Sequence, residues 1–294
     1  MKLVKPSAEI LIQQPGLEGL YKQIELAGRT CYKSEDKITD YSANKFVVRM
    51  IESNHFAMLE HGTVYLKCPK SAIIQSPIHR DSGEYFDNPY TKINYDGLDI
   101  AYITTNYRVI IENGWQDDLQ YMCEPTEHHE RRYTFKVTTS IGVTRELNRH
   151  RVNSIAEQST RYCNYSKDKF GNEITFCIPS WINIPEGNIH WDGAYYINSY
   201  RIESDEYDSW IMACDQAERS YNFAIRRNWK PQQAREVLPL CTATEAVYTA
   251  FESDWEHFFE LRYEQSTGKV HPNMLELTTL MKKEYESYTK EKRN

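Results

Sequence analysis

The 294-residue chain lacks the features that mark several large classes of protein. Its seven cysteines include no CxxC pair, which argues against a disulfide framework and a structural zinc site and favours a reducing compartment. No stretch approaches the roughly 20 apolar residues of a membrane span, and residues 1–16 lack the apolar run of a signal peptide. The formal net charge of −7 argues against a surface that coats nucleic acid. We therefore expect a cytoplasmic enzyme or binding protein without a metal site, a nucleic-acid partner or a membrane partner.

The composition that remains is typical of a globular protein. Hydrophobic residues make up 40% of the chain and aromatic residues 13%, and a chain of this length can bury a substantial core. The sequence contains no internal repeat, no low-complexity linker and no clear domain boundary. Residues 1–294 are therefore expected to form a single domain.

Hydrophobic periodicity predicts a mixture of helices and strands. Apolar residues at helical spacing predict helices around 17–24, 46–51, 205–228 and 244–266, and Pro272 is suited to the first position of another helix. Alternating patterns predict strands at 62–68, at 133–140 and near 102–110, with a turn at Asn113 and Gly114. Because no regular alternation of strand and helix is visible, the pattern favours an α+β fold over a doubly wound parallel sheet.

One mid-chain stretch, "NRHRVNSIAEQSTRYCNYS" at 148–166, contains almost nothing suited to a core. If its two polar runs are extended, side chains two positions apart share a face. Arg149 and Arg151 would then point one way and His150 the other. A solvated loop with surface ion pairs is the alternative interpretation, since such pairs are common and weak.

The second polar run in this stretch favours a ligand with a negative charge. In an extended run, Glu157, Ser159 and Arg161 line up on one face. A guanidinium beside a hydroxyl is a good phosphate cradle, because arginine offers charge-assisted, bidentate hydrogen bonds. The Glu157 carboxylate would repel phosphate, so it is expected to meet a donor elsewhere on the ligand. A nucleotide has both an anionic end and such a polar ring.

Four blocks of the sequence resemble the flavin-dependent thymidylate synthase family. "RHRVNSIAEQS" at 149–159 fits that family's RHR-x7-S signature, and "TRY" at 160–162 extends the match. "HFAMLEH" at 55–61 resembles its N-terminal histidine segment, "QQAREVLPL" at 232–240 its arginine-bearing segment, and "HFFELR" at 257–262 its last active-site helix. The blocks occur in the family's order, with a longer inserted segment at about 69–132.

The resemblance implies methylation of dUMP to dTMP, with methylenetetrahydrofolate as carbon donor. It also implies FAD as the cofactor and NADPH as the reductant, the protein's part being to bind and orient. Members of the family are homotetramers with active sites between subunits. For this chain that implies that Arg161 and Arg235 reach one dUMP from two different subunits.

Individual roles follow from the same resemblance. It implies dUMP contacts from Glu146, Arg149, Glu157, Gln158, Ser159, Arg161, Arg235 and Arg262. It implies FAD contacts from His61, Thr63, Arg149, His150, Arg151, Glu157 and His257. Arg262 would also be catalytic, because a guanidinium at the uracil edge favours negative charge on the ring.

Several of these residues also have a purely structural interpretation. Arg235 could interact with Glu236 or with a helix end, and Arg262 could form an ion pair with Glu260 or Glu264. His61 and His257 could be ordinary structural histidines. Ser159 has no base supplied by the sequence and is therefore assigned to binding rather than to nucleophilic catalysis.

The chain departs from the commonest family pattern at a few positions. Glu146 and Ala156 replace amides, His257 stands where Asn is common, and Ser266 stands where His is common, with His271 close by in sequence. His128 and His129, within "EPTEHHERR", suggest a metal site, but adjacent histidines point poorly at one ion and a solvated charged loop is preferred.

Two rival functions remain open. A non-catalytic nucleotide- or RNA-binding protein would use the same arginines, although the acidic net charge and the absence of an aromatic RNA-binding motif argue against it. A flavoprotein acting on another nucleotide is the alternative among enzymes.

Overall fold

The structure, a computed structural model, describes residues 1–74, 85, 88–97, 99–202 and 205–291. Within those residues no helix combines the length and the apolar character needed to cross a membrane. The strands are β1 (Lys2–Val4), β2 (Ser7–Leu11), β3 (Thr63–Pro69), β4 (Lys92–Tyr95), β5 (Ile100–Asn106), β6 (Arg132–Ser140), β7 (Ser154–Glu157), β8 (Thr175–Cys177), β9 (Gly187–Trp191), β10 (Tyr195–Ile197), β11 (Tyr200–Arg201) and β12 (Ala243–Phe251).

The helices are interspersed among these strands, which confirms the α+β prediction. They are α1 (Gly16–Tyr32), α2 (Ser42–Glu52), α3 (Lys70–Ile74), α4 (Tyr107–Asn113), α5 (Ile141–Leu147), α6 (Asp205–Arg226), α7 (Pro231–Ala234), α8 (Glu252–Arg262) and α9 (Pro272–Glu291). Short 3₁₀ helices lie at Glu35–Lys37, Phe56–His61, Gln116–Tyr121, Asp168–Phe170 and Arg235–Val237.

A four-stranded antiparallel sheet of order β2-β6-β12-β7 positions most of the predicted site residues. Its longest pairing runs from Ala243 opposite Ser140 to Phe251 opposite Arg132. One face packs against α8 and α9, and Phe135, Trp255 and Phe259 are almost completely buried there. The predicted strand at 133–140 and the predicted helix start at Pro272 are both confirmed.

The described part of the chain contains two further sheets, one of three strands and one of five. The sheet of order β3-β5-β4 packs with α1 and α2 in a core that contains Leu20, Phe46 and Leu66. The sheet of order β11-β10-β9-β1-β8 shares a core with α6, to which that helix contributes Cys214 and Tyr221. The predicted helices around 17–24, 46–51 and 205–228 and the predicted strand at 62–68 are confirmed.

The prediction of one helix over 244–266 is wrong in its first half. Residues 243–251 form strand β12, and the helix begins only at Glu252. β12 lies between β6 and β7 and is buried on both faces, apart from a half-buried Glu245. A strand buried on both faces reads as a continuous apolar run, which periodicity alone does not separate from a buried helix.

The predicted strand near 102–110 ends early. β5 stops at Asn106, whose side-chain oxygen accepts a hydrogen bond of 3.1 Å from the Val109 backbone N–H and so caps α4. The turn predicted at Asn113 and Gly114 is the end of that helix, where Gly114 has a φ of 72°. Asparagine is a preferred N-cap residue, so the signal for a helix start was present in the sequence.

The arginine-rich segment is not extended, contrary to the prediction. Residues 149–151 form a turn directly after α5, and the backbone N–H of Arg149 donates to the Glu146 carbonyl at 3.2 Å. β7 ends at Glu157, and a second turn follows in which the Cys163 N–H donates to the Ser159 carbonyl at 2.9 Å. Neither polar run is therefore a continuous strand.

Candidate active site

A polar groove of about 600 Å³ lies beside the end of β7, within the range of small-ligand sites. It is formed by the first turns of α5, the turn after β7 and the segment that leads into β12. Its lining residues are Cys31, Ile141, Thr144, Arg145, Glu157, Gln158, Ser159, Thr160, Arg161, Arg235, Glu236, Leu238, Pro239 and Leu240. Four of the predicted nucleotide contacts from the signature segment, together with Arg235, therefore surround one space.

Three arginines give this groove a positive wall. Arg145 and Arg161 are exposed and form no ion pair with any acidic group in the part of the chain that the structure describes. Arg235 donates to the Thr160 hydroxyl at 3.2 Å, and its Nε lies 3.7 Å from a Glu236 carboxylate oxygen. The interaction of Arg235 with Glu236 that the sequence allowed is thus present, but it leaves the guanidinium at the groove.

Arg161 and Arg235 line the same groove of one chain. The expectation that they reach one nucleotide from two subunits stays a prediction. Within one chain, the turn after β7 and the 3₁₀ helix Arg235–Val237 lie side by side, joined by the hydrogen bond between Arg235 and Thr160.

Glu157 is held by donors from α5 and from the turn that follows it. The Thr144 hydroxyl donates to one carboxylate oxygen at 2.8 Å, and the Asn148 amide donates to the other at 3.4 Å. The Asn148 carbonyl oxygen accepts from the buried Tyr248 hydroxyl at 2.9 Å. The carboxylate therefore has a defined orientation at the edge of the groove.

The backbone on either side of Ser159 is fixed by two longer-range contacts. The Gln158 N–H donates to the Glu245 carbonyl at 2.8 Å, and the Ser159 N–H donates to the Cys31 carbonyl at 2.9 Å. The Ser159 hydroxyl oxygen accepts from the Arg161 N–H at 3.3 Å. No described residue acts as a base on Ser159, and its predicted role is binding.

A second polar cluster joins the end of α8 to the end of α5. The Arg262 Nε donates to His150 Nε2 at 3.1 Å, and Arg262 Nη1 lies 3.9 Å from a Glu146 carboxylate oxygen. The predicted alternative, an ion pair of Arg262 with Glu260 or Glu264, does not occur among the described residues, and the Glu260 carboxylate lies 3.3 Å from His257 instead.

His150 is neutral in this cluster. Burial, and then the charges of Arg262 and His257, lower the pKa of His150 to about 4. Its ring packs edge-on against Phe258 with centroids 4.9 Å apart. Because Nε2 accepts from Arg262, the ring proton lies on Nδ1.

Exposed cations surround His150 on the protein surface. Arg149 and Arg151 are exposed and have no acidic partner among the residues described. The His257 side chain is 65% exposed, and its Nδ1 lies 3.3 Å from a Glu260 carboxylate oxygen. Unpaired arginines of this kind suit the pyrophosphate of a dinucleotide, so this part of the predicted FAD contact set fits such a group.

The other two predicted FAD contacts lie in the interior. His61 is completely buried, its Nδ1 is 2.9 Å from the Thr249 hydroxyl, and burial followed by the charge of Arg132 lowers its pKa to about 3. Thr63 is 5% exposed and accepts a hydrogen bond of 3.3 Å from Arg132. Neither side chain is accessible from the groove in a single chain, and their roles stay predictions.

His128 and His129 make different contacts in the structure. No group of three or more possible metal ligands occurs among the described residues. His129 is buried, with Nε2 3.0 Å from the Leu66 carbonyl oxygen and Nδ1 3.0 Å from the Thr126 hydroxyl, whereas His128 stacks on Tyr102. The preferred interpretation of a solvated loop therefore fails for His129, which is a structural residue.

Sequence reasoning missed four residues of this site: Thr144, Arg145, Asn148 and Tyr248. Thr144 and Asn148 are one helical turn apart, so they share the face of α5 that looks toward Glu157. That signal was readable, but only after 141–147 had been recognised as a helix. Tyr248 was hidden because its strand had been assigned to a helix.

The fold and the groove define an α+β protein with a cation-lined ligand site. The family described as thymidylate synthase complementing protein matches residues 119–287, which is more than half of the chain, and the chain belongs to that family. The matched residues include Arg262, His150 and every residue that lines the groove except Cys31. They begin after His61 and Thr63.

The individual relatives that match this chain do so at low sequence identity and over less than half of its length. The chain is 27% identical over 131 residues to a flavin-dependent thymidylate synthase of Pyrococcus abyssi, covering 44% of this chain and 46% of that protein. It is 25% identical over 130 residues to one of Kosmotoga olearia, covering 44% and 53%. The chain thus spans about half the length of these curated relatives.

Two solved structures align over nearly the whole chain, but at lower sequence identity than these relatives. A UMP/dUMP methylase, PolB, from Streptomyces cacaoi bound with 5-Br dUMP covers 97% of this chain and 92% of its own, at 16% identity and a TM-score of 0.43. Its complex with 5-Br UMP gives the same TM-score at 15% identity. A likeness of this size supports no conclusion about function.

Proposed function

We propose that the protein is a flavin-dependent thymidylate synthase that methylates dUMP to dTMP, with methylenetetrahydrofolate as carbon donor and NADPH as reductant. The observation that carries the proposal is the groove in which Arg145, Arg161 and Arg235 converge beside an oriented Glu157. Family membership supports the reaction class.

The groove suits a nucleoside monophosphate by charge and by shape. Arg161 and Arg235 provide fork-shaped donors for a phosphate, since planar guanidinium groups bind it in a bidentate manner. Glu157 accepts hydrogen bonds and so is suited to an N–H or O–H on the base or the sugar. Separating cation and carboxylate within one groove orients a ligand that is anionic at one end only.

Arg262 is proposed to act on the uracil ring. Its Nε donates to His150, its Nη1 lies 3.9 Å from a Glu146 carboxylate oxygen, and neither terminal nitrogen makes a hydrogen bond with a described residue. A positive fork at the ring edge stabilises negative charge that develops during reaction. The neutral His150 fixes the guanidinium plane without adding a competing positive charge.

FAD, when bound, supplies the hydride that completes the methyl group. Arg149, Arg151 and His257 would hold it through their exposed side chains. We further propose a homotetramer, on the family resemblance, and a cytoplasmic location, supported by seven cysteines that are all free thiols.

One experiment separates the proposal from its rivals. The purified protein is titrated with FAD and then assayed for dTMP formation from dUMP, methylenetetrahydrofolate and NADPH. Flavin uptake and dTMP are the expected results. Flavin uptake without dTMP would indicate a flavoprotein with another nucleotide substrate. Failure to bind FAD, with nucleotide binding retained, would indicate a non-catalytic binding protein.

A further inference from the structure

A chain of hydrogen bonds connects the protein core to the groove. It begins at the hydroxyl of Tyr248, which is completely buried in the middle of β12. That hydroxyl lies 2.9 Å from the carbonyl oxygen of Asn148, and the Asn148 amide nitrogen lies 3.4 Å from Glu157. Neither Asn148 nor Tyr248 lines the groove itself.

The charge of Glu157 dictates the direction of every bond in this chain. An ionised carboxylate only accepts hydrogen bonds, so the Asn148 group that faces it must be the amide. The Asn148 carbonyl oxygen then faces Tyr248, and the Tyr248 hydroxyl must donate. Burial, and then the charge of Glu157, raise the pKa of Tyr248 well above its usual value, so the phenol keeps the proton it needs to donate.

The buried bond is the one that holds Asn148 in place. The contact between Asn148 and Glu157 is long and exposed, so water competes with it. The contact between Tyr248 and Asn148 is shorter and anchored on a side chain with no exposure. An asparagine held through its carbonyl oxygen cannot turn that oxygen toward Glu157.

Glu157 depends on Asn148 because its other donor is shared. The single Thr144 hydroxyl proton can go to Glu157 at 2.8 Å or to the Ile141 carbonyl at 3.1 Å. Asn148 supplies the donor for the second carboxylate oxygen. Without both donors the side chain of Glu157 is free to rotate out of its ligand-binding orientation.

We infer that Tyr248 is a positioning residue for the nucleotide site, acting through Asn148 to fix the carboxylate of Glu157. The inference rests on the proposed function, in which Glu157 binds dUMP. It predicts that a hydroxyl buried in the central sheet controls nucleotide affinity without touching the ligand.

The test compares Tyr248→Phe with the matched variant Tyr221→Phe. Tyr221 is also completely buried and its hydroxyl also makes one hydrogen bond, accepting from the Tyr165 N–H at 3.4 Å. It lies on α6, in the core that this helix shares with the five-stranded sheet. Both variants lose one buried hydroxyl. Tyr248→Phe should weaken dUMP binding roughly five- to tenfold, the size of one net hydrogen bond, and Tyr221→Phe should not.

Asn148→Ala provides the second arm of the test. The effect of Tyr248→Phe on the dUMP Kd should disappear in the Asn148→Ala background, because the relay is already broken. Additive effects of the two changes would overturn the inference and leave Tyr248 as a residue of the core only. Equal dUMP affinity in wild type and Tyr248→Phe would overturn it as well.

A ligand-free readout separates this inference from the proposed function. The side-chain amide protons of Asn148 should exchange with water several times faster in Tyr248→Phe than in wild type or Tyr221→Phe, as measured by NMR. If wild type fails to bind dUMP but this exchange responds, the proposed substrate is wrong and the relay stands. If dUMP binds and the exchange is unchanged, the relay is wrong and the proposed function stands.

Discussion

Two arginine–histidine pairs in this protein consist of the same residue types but differ in how far the protein itself uses the donors of the arginine. Arg132 lies in the interior beside His61, and its terminal nitrogens donate to the Glu60 carbonyl at 3.1 Å and to the Thr63 and Ser154 hydroxyls at 3.3 Å. Arg262 lies at the end of α8, donates through Nε to His150, and has its Nη1 3.9 Å from a Glu146 carboxylate oxygen. The terminal nitrogens of Arg132 are hydrogen-bonded within the protein, whereas those of Arg262 make no hydrogen bond with a described residue.

The contrast shows why residue type alone does not identify a site. Burying a charged group is costly unless its hydrogen bonds are satisfied, and neutral oxygens in the interior accept three hydrogen bonds from the terminal nitrogens of Arg132, while its buried Nε has no partner among the described residues. The same requirement is relaxed for Arg262, which is only partly buried, with 26% of its side chain exposed. The two arginines therefore differ in whether their terminal nitrogens are already hydrogen-bonded by the protein.

The largest expected effect concerns Arg262. Arg262→Ala should slow dTMP formation by about 10²–10³, the typical cost of removing one electrostatic donor in an active site. Arg262→Lys should recover little of the rate, because lysine is a point charge without a planar fork. Steady-state assays at saturating dUMP measure this, and Arg219→Ala, an exposed arginine paired with Asp215 on α6, is the control. A rate for Arg262→Ala within threefold of that control would exclude Arg262 from the chemistry.

Arg132 should behave in the opposite way. Arg132→Ala leaves three acceptors without a donor and opens a space in the interior, so we expect it to lower the free energy of unfolding by about 3 kcal/mol. Urea denaturation measures the loss. The neighbouring Arg131, whose side chain makes no hydrogen bond in the described part of the chain, is the matched control, and Arg131→Ala should change stability by about 0.5 kcal/mol or less.

A stable Arg132→Ala variant would contradict the assignment of Arg132 to the interior framework. So would a variant of normal stability that had lost dTMP formation, because that result would place Arg132 in the active site instead.

The histidines of the two pairs predict a measurable dependence of stability on pH. An unfolded histidine has a pKa of about 6.5, whereas burial lowers the pKa of His150 to about 4 and that of His61 to about 3. Below about pH 6.5 the unfolded chain therefore binds more protons than the folded chain, and stability falls with falling pH by up to about 1.4 kcal/mol per unit for each histidine. Above about pH 6.5 these histidines are neutral in the folded and the unfolded chain, so they no longer lower the free energy of unfolding.

Substitution tests which histidine is responsible. His150→Gln should make the free energy of unfolding less dependent on pH between about pH 6.5 and about pH 4. His61→Gln should have the same effect between about pH 6.5 and about pH 3. Urea denaturation at a series of pH values measures both. An unchanged slope in His61→Gln would show that His61 is hydrated and accessible, which would remove the contrast between the two pairs.

Some helices could be predicted from the sequence, and the central strand could not. The helices α1, α2 and α6 followed from their periodicity, and the start of α9 followed from Pro272. The signature residues Glu157, Gln158, Ser159 and Arg161 line one groove, and their contacts with a nucleotide stay a prediction. β12 did not follow from periodicity, because a central strand has no exposed face to give an alternating pattern. Losing that strand also concealed Tyr248.

Contacts between distant segments were beyond the sequence. Nothing local indicates that Arg262 meets His150 across 112 positions, or that Thr160 meets Arg235 across 75. Equally, nothing local indicates that the Arg132 side chain donates three hydrogen bonds whereas that of the neighbouring Arg131 donates none among the described residues. Partners and burial are set by tertiary packing, and they decide which charged residues remain available to a ligand.

Arg161 and Arg235 both line the groove, and we expect that mixing a variant of one with a variant of the other does not restore activity. Arg161→Ala and Arg235→Ala should each be nearly inactive, because each leaves the phosphate short of one charged partner. Since both side chains line one groove of one chain, mixing the two variants creates only singly defective sites. The mixture should form dTMP no faster than its parents. Subunit exchange is verified by native mass spectrometry, and mixing Arg161→Ala with wild type should give activity in proportion to the wild-type share. Recovery of activity in the mixture of the two variants would show that a complete groove is assembled from two chains, and that the single-chain groove is not the working site.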